Sequence, residues 1–176
     1  DTKVKHSLAS SEYNKRRIEC EEGVAILQKK DKNILNLRDV SPEMIYRYKS
    51  MLNETIYKRC KYVVEENARV IEAGDLLKKR EILEFGELMY KTHYGLSQEY
   101  EVSCIELDSL VDFARASGYV AGARMMGGGF GGCTLNLVKN DKADEFISSV
   151  NKHYKEKFKK EPGIYEVIIS NGISIY

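Results

Sequence analysis

Two prolines in 176 residues, and no stretch rich in serine and glycine, leave nothing that reads as an internal linker. The length fits one domain, or one domain with a long helical extension. An excess charge of either sign is also missing, with 28 Lys and Arg against 27 Asp and Glu. Without a broad positive field, no nucleic-acid partner is expected. Cys20, Cys60, Cys104 and Cys133 form no C-x-x-C pair and match no zinc spacing. They read as free, mostly buried thiols of a reducing compartment. No apolar run approaches the roughly 20 residues of a membrane span. Asp1-Thr2-Lys3-Val4-Lys5 lacks the apolar stretch that follows the charges of a signal peptide. Cytoplasm is the default expectation, and with no initial Met the chain is expected to begin inside a longer protein or after processing.

What is present is the composition of a soluble globule, 43% hydrophobic and 31% charged. A chain of this size hides roughly 70% of its unfolded surface, enough for a core without staples. The first half reads as helical. Tyr13, Cys20, Val24 and Leu27 share one stripe between Ser11 and Lys29. Ser41-Pro42-Glu43 has the chemistry of a helix start. From Glu54 to Ala73, Ile56, Cys60, Val63 and Val70 recur at helical spacing, and Val64, Ala68 and Ile71 widen that face. Gly74-Asp75 is read as an interruption, with a further helix from Leu76 to His93 stopping near Gly95. Ser103 and Glu106 form a capping box on paper, followed by a buried stripe of Leu107, Leu110, Val111 and Ala114 that ends at Gly118.

The period then changes. Tyr119–Met126 and Cys133–Leu137 read as strands around a glycine cluster, and Asp141–Phe158 returns to helical spacing. Tyr165, Val167 and Ile169 alternate as a strand, and Asn171-Gly172 is a tight turn into a last strand at residues 173–175. Helices followed by strand, helix and strand predict an α+β fold, an antiparallel sheet with helices on one face.

Five of the six residues Gly127, Gly128, Gly129, Phe130, Gly131 and Gly132 are glycine. Each costs about 0.5–1 kcal/mol relative to Ala in an extended setting, so five add roughly 2.5–5 kcal/mol against a total stability of about 5–15 kcal/mol. Either the loop packs closely on a neighbouring element, or its backbone lines a small-molecule site where a Cβ would collide with a sugar or phosphate. Both readings stay open on composition. The loop is not a P-loop, lacking its Lys and hydroxyl residue. It is not a dinucleotide fingerprint either, because a strand follows it.

The wording Ala123-Arg124-Met125-Met126-Gly127-Gly128-Gly129-Phe130-Gly131-Gly132-Cys133 resembles a motif of the galactokinases, members of the GHMP small-molecule kinase superfamily. So does the opening, Val4-Lys5-His6-Ser7-Leu8-Ala9-Ser10-Ser11-Glu12-Tyr13-Asn14-Lys15-Arg16-Arg17 with Glu19-Cys20-Glu21-Glu22. Tyr100-Glu101-Val102-Ser103-Cys104 with Glu106-Leu107-Asp108 resembles a third signature, and the three stand in family order. The resemblance implies that residues 1–176 are a GHMP-kinase C-terminal domain, ferredoxin-like at its core with a helix-rich N-terminal part. It implies transfer of the ATP γ-phosphoryl group to the C1 hydroxyl of galactose, with the Tyr13 hydroxyl on the sugar and the Gly127–Gly132 loop beside sugar and phosphates. The catalytic aspartate, the magnesium ligands and the first phosphate loop belong to the family's N-terminal half. No catalytic residue and no metal ligand is therefore expected here. ATP and Mg2+ are cofactors of the whole enzyme, the N-terminal half is the expected partner, and this chain alone is expected to be inactive. Met126 stands where many relatives have Thr, and Ile105 where many have Pro. A sugar sensor without kinase activity and a kinase for N-acetylgalactosamine are the alternative parents.

The run Lys152–Lys160 is read as a solvated helix face. His6, His93 and His153 lie on different elements, and neither a metal site nor a nucleophile–base pair is indicated for them. An apolar surface left by the absent half would invite self-association.

Overall fold

In the computed structural model the described residues are 1–4, 9–168 and 171, the side chains of 9–11 excepted. Five helices come first: α1 (Ala9–Leu27), α2 (Pro42–Arg47), α3 (Glu54–Lys79), α4 (Ile82–Gln98) and α5 (Ile105–Ala116). Strands β1 (Val120–Met125) and β2 (Thr134–Val138) follow, then α6 (Ala143–Phe158). The helix starts follow local chemistry. Ser41 accepts the Met44 N–H with Pro42 in the first helical position, and Asn53 accepts the Ile56 N–H at 2.9 Å.

Packing overrides the local signals at several places. Gly74 does not interrupt α3, because it sits in an open helix position where its cost of about 1 kcal/mol is tolerated. The break comes at Arg80, in the left-handed region at φ 61°, where the Glu81 N–H reaches back to the Leu76 carbonyl at 2.9 Å. Gly95 does not stop α4, which runs on to Gln98. Its missing Cβ makes room for the Tyr62 ring, which would lie 2.5 Å from such an atom. The capping box does not form, for α5 starts at Cys104 without a side-chain cap, and the Ser103 hydroxyl donates to Asp108 instead. Leu107, Leu110, Val111 and Ala114 are buried as the stripe requires, and Gly118 follows the helix at positive φ.

One core joins Leu27, Ile45, Ile56, Cys60 and Val64 of the first three helices with Ile34, Leu37 and Val40 from the connection after α1. The α3 face narrows beyond it, leaving Val70 and Ile71 exposed with Leu77, Ile82 and Leu83 nearby in sequence. A second core packs α4, α5 and α6 on the strand pair through Tyr90, Leu110, Ala123, Phe146 and Tyr154. A small third cluster, Val102, Leu107 and Met125, lies under Phe130. The four cysteines are free, with Cys60 buried and the other three half-buried.

Among the described residues the sheet has two antiparallel strands, with Met125 opposite Thr134 and Ala123 opposite Asn136. Helix α4 crosses β1 at backbone contact, since a Cβ on Gly86 would stand 1.9 Å from the Ala121 carbonyl oxygen. Residues 165–168, expected to be a strand, carry no strand pairing, and Ile168 is 92% exposed. Ile169, Gly172 and the expected strand at 173–175 lie outside the described residues. The N-terminal segment is tied in at both sides. The Thr2 N–H and Oγ1 both donate to the Gly132 carbonyl at 2.8 and 2.9 Å, and Tyr154 donates to the Thr2 carbonyl at 2.7 Å.

Candidate functional site

The glycine loop leaves β1 at Met125 and re-enters β2 at Thr134, its neck closed by the Met126 N–H on the Cys133 carbonyl at 2.9 Å. Its middle is held by the Phe130 N–H on the Val102 carbonyl at 2.6 Å, and its exit by Thr2 on Gly132. Gly129 answers the close-packing reading. It has φ +89°, and a Cβ there would lie 2.0 Å from the Val102 oxygen. Gly128 behaves differently. It is exposed, its φ is not in the left-handed region, and a Cβ on it would meet nothing within 4 Å. Nothing within the described chain asks for glycine there.

Segment 99–102 is the ledge on which the loop rests, and two buried arginines hold it. Arg16 on α1 donates Nε to the Tyr100 carbonyl at 2.5 Å and Nη2 to the Glu101 carbonyl at 2.9 Å. Arg59 on α3 donates to the Glu99 carbonyl, to Glu101 Oε2 at 2.6 Å and to Glu19 Oε2 at 3.0 Å. Pairing and multiple hydrogen bonds are what make a buried guanidinium tolerable. The hydrogen bond from Arg59, with the nearby charges of Arg59 and Arg16, holds the Glu101 carboxyl below its ordinary value.

Tyr13 does not join the apolar stripe of α1. It is 60% exposed, because this part of the helix has solvent beside it. It stands one turn before Arg16, close enough to Tyr100 to contribute to that phenol's raised pKa, after burial and Cys20. The glycine loop rests on Val102, and Arg16, one turn after Tyr13, holds the carbonyls of Tyr100 and Glu101 in the same segment. Two open grooves, of about 630 and 600 Å3, lie elsewhere. One runs between Asn14–Glu22 and Asn53–Ile56, the other between α4, Arg115 and Val120. Neither is lined by Tyr13 or the loop.

Sequence reasoning missed the support behind the loop. His93 on α4 is buried and accepts the Met125 N–H through Nδ1 at 3.1 Å. With Nδ1 accepting, the neutral ring carries its proton on Nε2, which lies 3.1 Å from Asp108 Oδ1, off the line of a good hydrogen bond. Asp108 also accepts from Ser103 at 2.6 Å and from Ser97 at 3.1 Å. Burial pushes the Asp108 carboxyl up, but His93 and the two hydroxyls outweigh it and hold the pKa below the ordinary value. In the sequence Ser103 reads as a helix cap paired with Glu106, and Asp108 stands only in a family signature.

His153 lies on α6, with Nε2 3.0 Å from the Ser109 hydroxyl, which also accepts from Lys157 at 2.9 Å. Ser109 is buried and lines neither groove, so this cluster ties α5 to α6. Lys5 and His6 lie outside the described residues. Among the described residues no group of three or more His, Cys, Asp or Glu could hold a metal ion, and no helix is long and apolar enough to cross a membrane.

Residues 75–156 match the family model described as GHMP kinases C terminal. The galactokinase of Clostridium beijerinckii is 44% identical over 173 residues, which are 98% of this chain and 44% of that protein. The galactokinase of Fusobacterium nucleatum is 43% identical with the same coverage. The crystal structure of Lactococcus lactis galactokinase complexed with galactose superimposes with a TM-score of 0.87 at 33% identity, over 92% of this chain and 42% of that one. The chain thus spans less than half the length of the curated relatives it matches.

Proposed function

We propose that this chain is the C-terminal domain of a galactokinase of the GHMP kinases and forms one wall of its active site, a reading supported by the family match at residues 75–156 and by the likeness to galactokinases along 98% of the chain. The whole protein would transfer the γ-phosphoryl group of ATP to the C1 hydroxyl of galactose. All of residues 1–176 would serve as its C-terminal domain, docked on an N-terminal half that supplies the remaining chemistry. Magnesium and a catalytic carboxylate would come from that half.

The observation that carries the reading is Gly128. A glycine with open space above it and no conformational need of its own suits the close approach of a ligand's sugar or phosphate oxygens to the backbone. The exposed Tyr13 hydroxyl, one turn before Arg16 on α1, would accept or donate one hydrogen bond to a sugar hydroxyl. Phosphoryl transfer needs positioning plus cationic stabilisation of a spread negative charge, and one phenol with a neutral loop supplies only part of the positioning.

The test is a coupled ATP-consumption assay with galactose, run on the full-length protein and on this chain alone. Galactose-dependent turnover by the full-length protein and none by the chain is the expected result. Turnover by the isolated chain would refute its dependence on a second half. A full-length protein that binds galactose without consuming ATP would be a sensor, and one that prefers N-acetylgalactosamine would correct the substrate.

A further inference from the structure

Of the bonds that hold the glycine loop, two lead to the same carboxylate. The entry anchor is the Met125 N–H, which goes to His93 Nδ1 and not to the strand ladder. The middle anchor is the Val102 carbonyl, which receives Phe130. Asp108 touches both systems. Its Oδ1 stands 3.1 Å from His93 Nε2 and accepts from Ser103, the residue next to Val102, at 2.6 Å. Its Oδ2 accepts from Ser97 on α4. The exit anchor at Gly132 goes to Thr2 and is independent of it.

A loop with five glycines has little conformational preference of its own. Where it rests must be imposed from outside, and a misplacement of about 1 Å near a reacting group can cost on the order of 100-fold in rate. We propose that Asp108 is a positioning residue for phosphoryl transfer, holding the entry and the middle of the Gly127–Gly132 loop in one fixed arrangement through His93 and Ser103. It acts on the loop backbone and need not touch substrate. The negative charge also selects the His93 tautomer, since a proton on Nε2 facing the carboxylate leaves Nδ1 free to accept from Met125. This inference rests on the kinase reading above for its chemical consequence, but the anchoring itself is measurable without activity.

The experiment uses the full-length protein with Asp108→Asn, His93→Leu and His93→Asn. Amide hydrogen exchange is followed at residues 126–132, and kcat and KM are measured for ATP and galactose. Asp108→Asn is expected to speed exchange at 126–132 about tenfold, with α1 to α3 unchanged. It is expected to lower kcat by about 10- to 100-fold and move either KM by less than about threefold. His93→Leu should do the same, since it leaves the buried Met125 N–H without an acceptor. His93→Asn, whose amide oxygen can take the place of Nδ1, should restore kcat to within about threefold of the parent. Loss of thermal stability with unchanged kcat per folded molecule, or faster exchange spread evenly over the domain, would overturn the proposal. Faster loop exchange with unaltered kcat in an active parent would overturn it as well. A parent that phosphorylates no sugar refutes the proposed function and the phosphoryl-transfer part of this inference, and loop exchange alone then upholds or overturns the anchoring.

Discussion

The Phe130 amide lies 2.6 Å from the Val102 carbonyl oxygen, and through this bond the glycine loop is seated on segment 99–102. Phe130 reaches this geometry at φ 59°, with its ring on the small cluster of Val102, Leu107 and Met125. The ledge beneath is held by Arg16 and Arg59 from two other helices. The candidate site is thus braced by the helical half of the chain.

Gly129 and Gly128 should separate folding from function. Gly129→Ala places a Cβ against the Val102 oxygen at positive φ, and is expected to destabilise by about 2–4 kcal/mol in urea unfolding. Gly128→Ala is expected to change stability by less than about 1 kcal/mol, yet to lower kcat/KM for the proposed reaction of the full-length protein at least about tenfold. A fully active Gly128→Ala enzyme would remove the observation on which the function rests.

Two helix glycines should respond in opposite directions. Gly86→Ala forces α4 away from β1, where the Ala121 oxygen leaves no space, and is expected to cost more than about 3 kcal/mol. Gly74→Ala meets nothing and should stabilise by about 0.5–1 kcal/mol. Thermal midpoints of the two variants check the sign of each.

Arg59→Met removes the donor to Glu99, Glu101 and Glu19 at a site only 4% exposed. It is expected to cost about 2–4 kcal/mol and to raise hydrogen exchange over residues 99–102. A variant as stable as the parent would show that the ledge is held by Arg16 alone.

Acid should weaken the fold in a defined direction. The Asp108 and Glu101 carboxyls titrate below their ordinary values of 3.8 and 4.5. The unfolded chain therefore takes up protons first as pH falls. Their stabilising share is complete above about pH 5 and is lost as pH drops through the folded values. Urea midpoints from pH 7 to 2 should show this decline, and Asp108→Asn should make it shallower.

Tyr13→Phe should leave stability within about 0.5 kcal/mol, as the side chain is 60% exposed. In the full-length protein it should weaken galactose binding by about 1 kcal/mol, seen as a KM several-fold higher with the ATP KM unchanged. An unaltered galactose KM would take Tyr13 out of the site.

Much of this architecture is local and was legible in the residues. Ser41-Pro42 starts a helix because its side chain and ring meet the needs of the first turn. Leu107, Leu110, Val111 and Ala114 mark a buried face because helical periodicity is a property of the chain itself. The two strands around the loop, and the wording that resembles the galactokinases, were readable for the same reason. What depended on partners distant in sequence was not. Gly74 reads as a stop and Gly95 as another, yet both lie inside helices, since a propensity of about 1 kcal/mol yields to the packing of a whole helix face. Ser103 has the spacing of a cap, but its hydroxyl goes to Asp108, the stronger charged acceptor. That Asp108, His93 and the Met125 N–H meet could be decided only by α4, α5 and β1 packing together, because contacts among groups on three separate elements leave no periodic trace in the chain.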